Sequence, residues 1–458
     1  MAPYDIGAPQ VIDLYIAPAG DDGNDGRSPA APLRTISAAW NRIPMGQTLA
    51  ETGFHLWLLP GVYGEGDAPV YWESRYGTFE HPIILEALEG RDTVTLPVAN
   101  IFDTRYLYFI NLNFGPGDDV IHCERCDHLL LRGLTVFGAE PETYNAQETV
   151  KVNQSQHIYI EDSDISGAWN NAVDFVAVQH GHVFDNRIHN AGDWCMYTKG
   201  GSADLTIAGN TFYDCGTGGY SAGEGTGFQY MVPPWLQYEA YDIRVLGNVI
   251  HHTDGAGIGV QGGYNILIAG NTLYRVGERS HLVEFGFGSR SCDGQPGDDG
   301  RERCDTYAAQ GGWGNSVIAD GENYIRIPNH NVYFYNNVVY NPAGTQSGYQ
   351  HFSIFAPRSD PAQTDAGVPV PTRADENLQI RGNVIWNGGP DMPLGVEPSP
   401  DYPAGCQADN PTCTEAQIRA DNAINAVEPL LVDPEHGDFR LASGWEMLAV
   451  EIPSFPND

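Results

Sequence analysis

The chain has 458 residues, 59 acidic against 23 basic, and a formal net charge of −36. That charge argues against nucleic acid and anionic membranes as partners, and the length exceeds what one ordinary hydrophobic core fills, leaving several domains or one architecture that grows by stacking. Glycine-rich, Asn-rich turns between short β-branched or aromatic runs favour stacking, and no long amphipathic helix is visible.

The first landmark is Leu14 to Trp40. A strand at Leu14, Tyr15 and Ile16 runs into a turn-dense stretch, and Pro32-Leu33-Arg34-Thr35-Ile36 leads to a short helix starting near Ser37. A solenoid must seal its first coil from water, and such a helix does so. The segment resembles the N-terminal segment of right-handed parallel β-helix enzymes of the pectate-lyase-like kind. The resemblance implies an all-β solenoid forming a single domain over 1–458. Its parts would be an opening strand and capping helix at 14–45, central coils over about 96–390 and a closing segment at 391–458, where Glu428 to Leu441 again resembles these enzymes.

A repeat supports the solenoid. A polar turn residue, any residue, then an apolar one recurs at Ser163, Asn186, Asn210, Asn248, Asn271, Asn337 and Asn383, with gaps of 23, 24, 38, 23, 66 and 46 residues. Short gaps read as single coils and long ones as coils carrying insertions, the last as one coil or two. Asn tolerates the left-handed backbone of a tight turn, and its amide can bond the same residue one coil away. The series therefore predicts a ladder with Asn186, Asn210, Asn248 and Asn271 along one edge.

Two short strands are expected before each turn. In the first, alternation sends Val150 and Val152 inward and Lys151 outward; next Phe175 and Ala177 inward and Asp174 outward; then Met196 and Thr198 inward, leaving Cys195, Tyr197 and Lys199 outside. Gln261, Glu284 and His351 extend this outward row, along which a long polymer could lie. Insertions at 216–228, 286–322 and 357–374 would wall a groove beside it. An aromatic-lined insertion carrying Trp235, Tyr238, Tyr241 and Trp313 suits sugar stacking.

Among eight cysteines, Cys292 and Cys304 bracket one loop and Cys406 and Cys413 another, as disulfides pinning surface loops do. A secreted or periplasmic setting is the expectation. Cys123-x-x-Cys126 lacks the second pair a zinc site needs and the βα setting of a redox motif. No secretory signal precedes Ala2 and no run approaches the roughly 20 apolar residues that span a bilayer, so the sequence reads as a mature or trimmed form, expected to be a monomer.

Cleaving a uronic acid polymer by β-elimination needs a positive group on the C5 carboxylate, a base for the C5 proton and an acid for the departing O4. A lysine whose pKa a nearby cation depresses can be the base, and an arginine or a calcium ion held by Asp and Glu the positive group. The chain has two lysines, Lys151 and Lys199, both in the outward row. The stretch Asp193 to Lys199, then Leu205 to Phe212, is similar to a segment of the alginate lyase and chondroitinase B family. The similarity places Lys199 on that family's base and Asp193 on a calcium-ligand position.

Two departures bear on the carry-over. The family's second carboxylate is missing from Trp194 to Thr198, and Gly218-Gly219-Tyr220-Ser221-Ala222 stands where the family has an Arg-His-Gly turn. Tyr220 then becomes the candidate acid, Lys151 a second catalytic candidate, and Asp174, Asp193 and Glu148 the calcium ligands, unless the two aspartates bond turn amides instead. Tyr197, Gln261, Glu284, Trp235 and Trp313 are the candidate substrate contacts. Two other functions stay open: a glycoside hydrolase using carboxylates such as Glu224 and Glu284, and a non-catalytic carbohydrate-binding or cell-surface protein. His251-His252 are expected to make structural hydrogen bonds.

Overall fold

A computed structural model of the protein describes residues 2–139, 147–292, 295–314, 325–359, 361–389, 391–397, 403–443 and 449–455. Parts of the insertions expected at 286–322 and 357–374, and of the closing segment, lie outside these residues. The chain divides into two compact units, one running to Asp174 with Val178–Gly192, the other Phe175–Ala177 with Asp193–Asp458. Each is a stack of coils of a right-handed parallel β-helix, with three strands to the coil.

In the first unit the strands Val11–Ile16, Gly53–Leu58, Ile83–Ala87, Arg105–Ile110, Asp127–Arg132, Gln156–Glu161 and Gln179–Phe184 pair in parallel in that order, forming a first sheet. Register aligns Leu14, Leu56, Leu85, Phe109, Leu131, Ile160 and Val183 in one buried column. Each such side chain contributes roughly 1.5–3 kcal/mol on leaving water. A second sheet runs from Trp72–Glu73 through Ala99–Phe102 and Ile121–Glu124 to Val150–Asn153, and a third from Gly61–Val62 to Arg187–Ala191.

The expected cap is the helix Ile36–Trp40, with Ile36, Ala39 and Trp40 buried. Thr35 Oγ1 accepts from the Ala38 amide at 3.1 Å, and Asp22 in turn accepts from the Thr35 amide and hydroxyl at 2.8 and 2.9 Å. Trp40 meets Trp72 edge-on, with centroids 5.0 Å apart.

The second unit repeats the plan. Its first sheet runs from Ser202–Ala208 to Glu376–Arg381. Its second comprises Trp194–Lys199, Gly218–Ala222, Ala256–Gln261, His281–Gly286 and Gln350–Ile354. The third runs from Thr211–Cys215 to Ala423–Ile424; these strands, which follow the Asn turns, are the ones that the two-strand expectation omits.

The ladder forms inside each unit. Asn248 Oδ1 accepts from the Asn210 amide, Asn271 from Asn248, Asn337 from Asn271, Asn383 from Asn337 and Asn422 from Asn383, all at 2.8–3.0 Å. In the first unit Asn186 Oδ1 accepts from the Ser163 amide at 2.9 Å. Asn337 and Asn383 sit on directly paired coils, so their 46-residue gap is one coil with an insertion. The left-handed residue is not the rung but its predecessor: Gly209, Gly247, Gly270, Asn336 and Gly382 have φ between 55° and 69°. The rung asparagines instead spend both ends of their buried amides on hydrogen bonds.

The stretch 216–228 is only partly an insertion. Gly218–Ala222 is a regular strand of the second sheet, and its glycines serve close approach: a Cβ on Gly218 would lie 2.2 Å from the Trp194 ring and one on Gly219 2.4 Å from Ile250. Beyond it, Gly225–Gly227, Gly288–Ser291 and Ile325–Ile327 form a separate three-stranded sheet, the first pair parallel and the second antiparallel. Helix Asp299–Ala309 packs beside Phe228 and Met231, tied by Cys292–Cys304. Cys406–Cys413 closes its loop as expected, and Cys123–Cys126 and Cys195–Cys215 complete four disulfides. Near the end, Leu431–Asp433 and Asp438–Leu441 form a hairpin whose Phe439 stacks on His251 at 4.7 Å. Among the described residues no helix is long and apolar enough to cross a membrane.

Candidate functional site

The strand Trp194–Lys199 buries Met196 and Thr198 and turns Lys199 out, after which Gly200 and Gly201, both with positive φ, reverse the chain. Lys199 Nζ donates to Glu224 Oε2 at 3.1 Å and lies 4.2 Å from the centroid of Tyr197. Glu224 stands where the chain leaves the second sheet for the three-stranded sheet, and its carbonyl accepts from the Ser289 amide. Burial first, then the charge of Glu224, pushes the Asp193 carboxyl up, against the pull of Thr217, Lys199 and Arg279. Asp193, Lys199, Glu224 and Arg279 therefore share one electrostatic neighbourhood.

The outward row continues by register from Tyr197 to Ser221, Gly259, Glu284 and Ser353. Glu284 accepts from Gln261 Nε2 and from His281 Nε2, the latter at 3.0 Å. Gly259 keeps the floor shallow, since a Cβ there would lie 2.8 Å from Trp194 and 3.3 Å from Glu284. Beside this row the three-stranded sheet is anchored by a fully buried ion pair. Glu239 accepts from Arg290 at 2.5 Å, from Thr226 Oγ1 at 2.5 Å and from the Gly200 amide at 3.0 Å. The residue after the candidate base is thus fixed to the foundation of the wall. Sequence reasoning missed Arg290 and Glu239, which the folded path of the insertions brings together, and Arg279, which coil stacking places in the turn between strands Thr272–Val276 and His281–Gly286.

In the first unit Lys151 Nζ lies 3.0 Å from Glu148 Oε2 and 4.0 Å from Asp174 Oδ2. Burial and repulsion by Asp174 push Glu148 up to about 7. His122, one coil back in register with Lys151, accepts from Asn153 at 3.2 Å and is shifted down by burial. The Lys151 ammonium is thus a countercharge to Glu148 and Asp174, the carboxylates expected to ligate calcium. Asp193 instead bonds Thr217.

Several expectations need correction. Tyr220 lies in register with the inward Met196, is fully buried and bonds Thr198 Oγ1 at 2.8 Å, so its phenol faces the core and cannot protonate a leaving group on the outer face. His351 is also fully buried, against Asn387 rather than on the outer row, and burial lowers it to about 4. Trp235 and Trp313 are half-buried in an aromatic cluster, Trp235 resting on Tyr241 at 4.7 Å and Trp313 on Tyr238 at 4.9 Å. Tyr197 is on the outward side but almost covered. A cavity of about 450 Å³ bounded by Tyr335, Arg381, Asp421 and Glu451 belongs to the last coils and holds none of the candidate residues.

Residues 100–232 match the family described as "Right handed beta helix region". Coils and matched segment agree on the class of fold: this chain is a right-handed parallel β-helix protein. Among solved structures it is similar to a rhamnogalacturonan lyase, at 12% identity over 81% of this chain and 87% of that one, with a TM-score of 0.47. It is also similar to the pectate lyase Pel9A, at 13% identity, 96% and 92% coverage and a TM-score of 0.42. A third is the catalytic unit of a GH87 α-1,3-glucanase from Streptomyces thermodiastaticus strain HF3-3, at 12% identity, 77% and 56% coverage and a TM-score of 0.46. These likenesses are of fold. No curated protein sequence matches the chain.

Proposed function

We propose that this chain is a secreted polysaccharide lyase that cleaves a uronic-acid-containing polymer by β-elimination, with Lys199 as the base. The observation that carries this reading is Lys199 Nζ on the outer face, held by the Glu224 carboxylate and the Tyr197 ring, beside the row leading to Glu284. In its neutral form Nζ takes the C5 proton, the C4–O4 bond breaks, and a C4=C5 double bond forms in the new non-reducing end. With Tyr220 in the core, the resulting ammonium returns the proton to O4. Arg279, within electrostatic reach of Asp193, is the arginine available to offset the substrate carboxylate. Four disulfides support the secreted setting.

One observation favours a second reading. A raised Asp193 beside Glu224 is what an acid and base pair of a glycoside hydrolase needs. A panel of polysaccharides separates the two. Ultraviolet absorbance of an unsaturated uronate together with new reducing ends supports the lyase; new ends alone transfer the chemistry to Asp193 and Glu224. Neither signal, with retained affinity for a glycan, leaves a binding protein.

A further inference from the structure

On the first sheet of the first unit, away from the lysine row on the second, one strand position repeats an unusual conformation. Tyr106, His128, His157 and His180 are each the second residue of their strand and each has positive φ, between 51° and 62°. Their rings stack in sequence, with centroids 4.1, 4.2 and 5.2 Å apart. Asp127 Oδ1 accepts from His128 Nδ1 at 2.7 Å and from His157 Nδ1 at 2.9 Å, which holds both imidazoles in one orientation. All three side chains are between 18% and 34% exposed, so solvent ions reach them.

We infer that Asp127, His128 and His157 form a binding site for a divalent transition-metal ion. One donor atom from each lies within 4.8 Å of the other two, and an ion bound at about 2.0–2.2 Å to imidazole and carboxylate would take the place of the protons that His128 and His157 donate to Asp127. Two imidazoles with one carboxylate select zinc, nickel or copper over calcium and magnesium, which prefer all-oxygen shells. Stacking holds the rings in place before any ion arrives, so little ordering remains to oppose binding.

The test is calorimetry of the whole, chelator-stripped chain with zinc chloride, and separately with calcium chloride. Asparagine is the substitution of choice, because Asn265, Asn331 and Asn377 occupy a left-handed position on first-sheet strands of later coils at φ 50° to 57°. The expected result is one zinc equivalent bound by the native chain, no comparable calcium binding here, and zinc affinity weakened roughly tenfold or more in His128→Asn/His157→Asn. Circular dichroism verifies that the variant is folded. Absence of zinc binding by the native chain, or unchanged affinity in the folded double variant, would overturn the assignment.

Discussion

Lys199 and Lys151 occupy similar positions on outward strands but different surroundings. Lys199 has the Glu224 carboxylate at 3.1 Å, Asp193 within electrostatic reach and an aromatic face; Lys151 has Glu148 and Asp174, both buried. Lys199→Ala should lower turnover on the identified substrate about 10²–10⁴-fold while leaving the unfolding transition in place, and Lys199→Arg should fail as well, since guanidinium stays protonated. Turnover near normal in Lys199→Ala would remove the base assignment. Glu148 yields a pH prediction. Its ordinary value is 4.5 and its native value about 7, so in between, the unfolded chain has released the proton and the native one retains it. Native stability therefore falls as pH rises from about 4.5 to 7. Urea titrations at pH 5 and pH 8 should show the native protein losing stability relative to Glu148→Gln over that interval; parallel curves would exclude the shift. That Lys151 and Lys199 point outward was legible from strand alternation. The burial of Tyr220 was not, because consecutive glycines before it read as a loop while they serve close packing against Trp194 and Ile250.

The element that most affects the site is the three-stranded sheet built from insertions. Its foundation, Arg290 on Glu239, is out of solvent entirely, and Arg290 also donates to the carbonyls of Leu236 and Trp313 at 2.9 Å. Arg290→Met would leave Glu239 buried without its countercharge, a loss of about 3–5 kcal/mol. The expected outcome is a lower or split thermal transition and reduced activity, because Glu239 also holds the Gly200 amide next to Lys199. A single unchanged transition with full activity would show the wall to be uncoupled from the site. Sequence spacing revealed the coils from Ser163 onward because each of these carries a polar rung, as from Asn248 to Asn271. It could not reveal this sheet, because its strands belong to segments 225–227, 288–291 and 325–327, whose pairing depends on contacts distant in sequence.

For the chain as a whole, a formal charge of −36 means that like charges repel in the compact state. Raising ionic strength from about 0.01 M toward 1 M shortens the screening length from about 30 Å to 3 Å. Melting temperature should therefore rise with sodium chloride, and association with a polyuronate should tighten; a melting temperature that is flat or falling in salt would show that local ion pairs outweigh the net charge. The fold itself was legible because stacking repeats the same local solution many times, whereas the chemistry depends on a few side chains placed once. The asparagine rungs carry a consequence of another kind. Asn248 and Asn271 are 23 residues apart, Asn271 and Asn337 66, yet both pairs close with the same amide bonds at 2.9–3.0 Å. The spine is indifferent to the length of chain between its rungs. Inheritance can therefore treat whatever hangs there as an exchangeable cassette, replacing one wall with another and acquiring a new substrate without re-registering the coils beneath.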